Sequence, residues 1–143
     1  MKVYIKNQQR VIKVNPQRIA RFLRKVLHLL GLHGAELSIL LVNDRRMKLL
    51  NRQYRSIDRA TDVLSFPQTE NRTQNFVLGD IVINLPRAKR QAAEQGITLN
   101  KELKRLMIHG LLHLIGYDHE KSRYQKNKMR SKERELLEVL TSL

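Results

Sequence analysis

The chain of 143 residues contains no cysteine and no tryptophan. The first absence removes disulfides, thiolate metal ligands and a cysteine nucleophile from consideration, and it fits a reducing compartment. Glycine and proline are sparse, at six and three, which excludes collagen-like and low-complexity chains. No apolar run is long enough to cross a bilayer. The densest, from Leu106 to Ile115, is interrupted by two histidines and a glycine. The N-terminal MKVYIKNQQRVIKV has no uninterrupted apolar core of the signal-peptide kind. The expected location is the cytoplasm, with no membrane partner.

Acidic residues are also scarce, and unevenly so. None precedes Glu36, whereas Lys2, Lys6, Arg10, Lys13, Arg18, Arg21, Arg24 and Lys25 all do. Lys plus Arg is 28 against 13 Asp plus Glu, a formal charge of +15. Such an imbalance favours polyanions, and nucleic acid first among them, because each neutralised phosphate releases counterions. The basic segments carry no Trp and no exposed apolar face, so an anionic membrane fits them less well.

The length is that of one domain, residues 1–143, large enough to bury a core without staples. Short strands are predicted at Val3–Ile5 and Val11–Val14, and a helix opening at Asn15-Pro16 and ending at Gly31. Strands follow at Glu36–Asn43, Asp62–Pro67 and Phe76–Leu85, with a polar loop over Asn71–Asn75. Asp44 is read as the cap of a helix bearing Met47, Leu50 and Tyr54. Three further helices are predicted: Pro86 to Gly96, Leu99 to Ile115 and Arg123 to Leu140. The second half of the Leu99 helix is apolar nearly all round, as a buried helix is. The class is α+β: an α/β sandwich with a small mixed sheet packed against helices.

The chemistry is concentrated in LMIHGLLHLIGYDHE. His109 and His113 stand four apart, so a helix places both imidazoles on one face. Gly116 can take the left-handed turn that stops a helix, letting His119 return to the same point. Three neutral imidazoles with an open fourth position are the donor set of a catalytic zinc; nickel, iron and copper suit them less well. His28 and His33 have no such spacing and read as surface residues. The spacing is also that of the metzincin peptidases, H-E-x-x-H-x-x-G-x-x-H. Here Gly110 stands where their general base would be, and neither Asp118 nor Glu120 occupies that helix position.

Three blocks resemble the YbeY family of bacterial endoribonucleases, the ribosomal RNA maturation factors. HGLLHLIGYDH (His109 to His119) matches H-G-x-x-H-L-x-G-Y-D-H, YRSIDRATDVLSFP (Tyr54 to Pro67) matches Y-R-x-x-x-x-x-T-D-V-L-S-F-P, and LGDIVI spans Leu78 to Ile83. After Arg55 the family frequently has Gly-Lys-Asp-Lys; here it is Ser56-Ile57-Asp58-Arg59. The resemblance implies a zincin-like fold with the metal site at the end of a buried helix. It also implies a metal-dependent, single-strand-specific endoribonuclease of ribosomal RNA, acting on the 3′ end of the small-subunit RNA and in ribosome quality control. Implied partners are single-stranded RNA and the small ribosomal subunit, with no DNA specificity. The family likeness makes His109, His113 and His119 the ligands of one zinc ion and Arg55 the basic residue linked to activity.

Asp62 and Asp80 are candidates for orienting a ligand histidine, and Phe66 and Tyr117 for stacking on a base. Ser65 lies in no triad order. Two other classes stand beside the ribonuclease: a zinc peptidase of metzincin-like geometry, and a non-catalytic RNA-binding assembly factor.

Overall fold

A computed structural model describes residues 1–68 and 75–141. The elements run β1 (Lys2–Asn7), α1 (Pro16–Leu29), β2 (Ala35–Val42), α2 (Asp44–Arg55), β3 (Val63–Pro67), β4 (Phe76–Asn84), α3 (Leu85–Gln95), α4 (Leu99–Leu114) and α5 (Arg123–Thr141). The sheet has the order β1-β2-β4-β3. β1, β2 and β4 are parallel and β3 joins antiparallel at the edge, which gives the expected mixed sheet.

Alternation in β2 decides the layering. Leu37, Ile39 and Leu41 point to one face, where they pack with Ile81 and Ile83 of β4 against α1, α3, α4 and α5. The other face carries a smaller cluster, in which Met47 and Leu50 of α2 meet Val42, Leu64 and Val82. α2 covers only part of that face, and Tyr54, expected on its apolar row, is 59% exposed. α4 lies in the larger core, with Leu103, Leu106, Met107, Ile108, Leu111 and Leu112 all buried.

Two local expectations are corrected. Val11–Val14 is not a strand. The buried Gln9 amide takes both backbone groups of Ile12, donating to its carbonyl at 2.6 Å and accepting its N–H at 2.9 Å. A side chain thereby replaces a strand partner, so Ile12 is buried while Val11 is 86% exposed. α2 is capped by Asn43, whose side chain accepts the Arg46 N–H, rather than by Asp44. Asp44 instead accepts from Arg90 at 2.9 and 3.0 Å and from the buried Asn84 at 2.8 Å, joining α2 to α3. Of the expected loop at residues 71–75, 71–74 lie outside the described residues.

Candidate metal centre

The site is built on the last two turns of α4. His109 and His113 lie there one turn apart, and their Nε2 atoms approach to 3.1 Å. The helix stops at Leu114, and Gly116 follows at φ 106°. The Tyr117 N–H reaches back to the Leu112 carbonyl at 3.0 Å, and Asp118 accepts the Glu120 N–H at 2.9 Å. This turn returns His119, whose Nδ1 lies 3.0 Å from His113 Nε2. One nitrogen from each ring falls within 4.8 Å of the others. Zinc–imidazole bonds of about 2.0–2.1 Å in a tetrahedron put their nitrogens about 3.3 Å apart. The donor set therefore fits a transition-metal ion, and the fold brings His109, His113 and His119 to one point, as their spacing predicts.

The rings are half-buried. Burial, then the neighbouring imidazoles of His109 and His119, hold His113 below the ordinary histidine value. It therefore stands as a neutral donor at pH 7.

The two candidate carboxylates for orienting these rings are engaged elsewhere. Asp62 accepts from the Val63 N–H and from Gln91, and Asp80 accepts from Gln68. Asp80 sits in β4 beside Ile81 and so points away from α4, since neighbouring strand residues face opposite ways. Glu133, on α5, makes the contact instead: its Oε1 lies 2.6 Å from His109 Nδ1. Its only cue in the sequence is an acid on a helix predicted to pack, and nothing in that pattern names its partner.

Gly110 answers the peptidase alternative. A Cβ there would lie 2.9 Å from Ile81 Cγ2 and 3.1 Å from Ser65 Oγ. The position faces the sheet at contact distance and has no room for a glutamate. Ser65 is buried, and its hydroxyl donates to the Gly110 carbonyl at 2.9 Å. It ties β3 to α4.

Arg55 ends α2. Its Nη2 donates to the Ser65 carbonyl at 2.9 Å, and its guanidinium carbon lies 5.7 Å from the centre of the Phe66 ring. Among the described residues no hydrogen bond joins Arg55 to an imidazole; the bonds run from Arg55 to Ser65 and from Ser65 to Gly110. Phe66 also meets Tyr54 edge to face and lines a cavity of about 550 Å3 on the less covered face of the sheet. Tyr117 packs on the core beneath Lys128. His28 and His33 are exposed, as expected, and touch each other. Arg18, Arg21 and Lys25 are exposed on α1 and make no ion pair among the described residues. No helix among the described residues is long and apolar enough to cross a membrane.

Known proteins resemble this chain in sequence and fold. Over its whole course the chain resembles the solution structure of TM1509 from Thermotoga maritima, with TM-score 0.63 and 28% identity, covering 98% of this chain and 92% of that one. The endoribonuclease YbeY of Aquifex aeolicus is 41% identical over 140 residues, 98% of this chain and 92% of the relative. That of Persephonella marina is 46% identical over 120 residues, 82% and 78% of the two chains. The family model described as endoribonuclease YbeY matches residues 4–141, and with it the three-histidine helix and turn, the Arg55 segment and the sheet between them: the chain belongs to the YbeY family.

Proposed function

We propose that this chain is a zinc-dependent endoribonuclease that cuts single-stranded segments of ribosomal RNA in the cytoplasm, with the 3′ end of the small-subunit RNA as its target. One observation carries the metal chemistry: three imidazoles converge with no fourth protein ligand among the described residues. An open position is the mark of a catalytic rather than a structural site. Family membership supplies the ribonuclease class, and the charge of +15 fits a phosphate-rich substrate.

Zinc held by His109, His113 and His119 supplies Lewis acidity toward a phosphoryl oxygen or water. The residues of the chain do the rest. Arg55 has a planar fork of five N–H donors, one of which goes to the Ser65 carbonyl. The others can clamp a phosphate and offset charge developing on it. The exposed cations of α1 hold the backbone away from the reacting centre.

The test offers the zinc-loaded protein a single-stranded RNA, the same RNA as a duplex, single-stranded DNA, and casein. Cleavage of the single-stranded RNA alone, abolished by chelation and by His113→Ala, is the expected result. Digestion of casein, or RNA cleavage that survives chelation, would overturn the reading.

A further inference from the structure

The buried seam of α5 is Met129, Leu136 and Leu140, at helical spacing. Glu133 falls between them, four residues after Met129 and three before Leu136, and its side chain is 17% exposed. A carboxylate in an apolar seam costs stability unless a partner answers it. The partner is His109 Nδ1, 2.6 Å away and 24 residues earlier in the chain.

We propose that Glu133 is the positioning residue of the metal centre: it accepts the Nδ1–H of His109 and thereby aims the His109 Nε2 lone pair at the point shared with His113 and His119. A hydrogen bond on one ring nitrogen decides which nitrogen is left to ligate. The geometry agrees, since His109 Nε2 is the atom that faces His113 Nε2 at 3.1 Å. Glu133 itself sits in a basic setting. It lines a cavity of about 410 Å3 with Lys101, Arg105, Arg130 and Arg134. Arg105, one turn before His109, is anchored by the fully buried Glu102. Metal binding is therefore shared by three elements: two ligands on α4, one on the following turn, and the aiming group on α5.

The inference rests on the metal-site reading above but not on the nature of the substrate. Its test uses zinc alone as the probe, with the full chain and a competing chelator. Glu133→Leu fills the seam with an apolar side chain and keeps α5 docked. Thermal stability without metal should hold, while zinc affinity falls roughly 10- to 100-fold. Glu133→Gln, which can still accept the N–H but carries no charge, should lose less. In metal-free wild type, nitrogen NMR of the imidazoles should show His109 protonated at Nδ1, and Glu133→Leu should shift that proton toward Nε2. Zinc affinity within twofold of wild type in both variants, or an Nε2-protonated His109 in wild type, would overturn the proposal. Should Glu133→Leu not fold, Glu133→Gln and the wild-type spectrum decide it. A protein that shows these zinc effects but cuts no RNA would refute the ribonuclease reading and leave this one standing.

Discussion

The Ser65 hydroxyl donates to the Gly110 carbonyl at 2.9 Å, fastening the edge strand β3 to the helical turn that carries His109. If Ser65 is a fastener and not a nucleophile, Ser65→Ala should cost about 0.5–1.5 kcal/mol of stability. RNA cleavage should stay within a few-fold of wild type. Urea unfolding and single-turnover cleavage check the two halves separately, and a variant with intact stability but no cleavage would restore Ser65 as a reacting group.

Arg55 should separate chemistry from binding. If its guanidinium acts on charge formed in the transition state, Arg55→Ala should lower turnover by about 10²–10³ while RNA affinity changes little. Arg55→Lys should recover little, because a point charge lacks the fork. Zinc content should equal that of wild type in both. Cleavage at the wild-type rate would return Arg55 to the role of a strut on β3.

The cations of α1 are expected to contribute affinity without chemistry. Each phosphate contact on a single strand adds about 0.7 to the slope of log affinity against log salt. Replacing Arg18, Arg21 and Lys25 together by Gln should flatten that slope by up to about 2 and leave the single-turnover rate at saturating RNA unchanged. An unaltered salt slope would mean the RNA path avoids α1.

Ser56 closes α2 with φ at 57°, in the left-handed region, where a side chain is strained. Ser56→Gly should therefore stabilise the fold by about 0.5–1 kcal/mol and raise the melting temperature by a few degrees. Calorimetry showing a lower melting temperature would mean the Ser56 side chain contributes more than its backbone costs.

The Asp44–Arg90 pair predicts an acid limb. Hydrogen bonds from Arg90, against an opposing effect of burial, hold the Asp44 carboxyl below its usual 3.8. The folded state then binds fewer protons than the unfolded chain around that pH. Its contribution is complete at neutral pH and is lost as pH falls through the folded value. Both groups reach solvent, so the pair is worth about 1 kcal/mol or less. Arg90→Ala should be less stable than wild type in denaturant at pH 7, and the gap should close near pH 2. A gap of constant size would assign the loss to packing.

The convergence of the three histidines was legible in the sequence because their geometry is local. His109, His113, Gly116 and His119 belong to one helix and the turn after it, and a single period of 3.6 places them. Several helix ends followed from signals of the same local kind, such as Asn15 before Pro16. Glu133 was not legible, since its meeting with His109 depends on how α5 crosses α4. Asp62 and Asp80 misled for the same reason: a carboxylate in the right block says nothing of which sheet face it occupies. Val11–Val14 failed on a side chain, Gln9, that hydrogen-bonds as a strand would.

The hold of Arg55 on Ser65 has a further effect on the rim of the sheet. Backbone bonds from Gln68 to Leu78 and from Asn84 to Asp62 mark the even-numbered residues of β3 as those paired with β4. Ser65 therefore turns its backbone outward, where an extended chain could add itself as a fifth strand. Arg55 takes that carbonyl. One outward ladder acceptor is thereby withdrawn and a positive charge stands beside it, so the rim is a poorer template for strand addition.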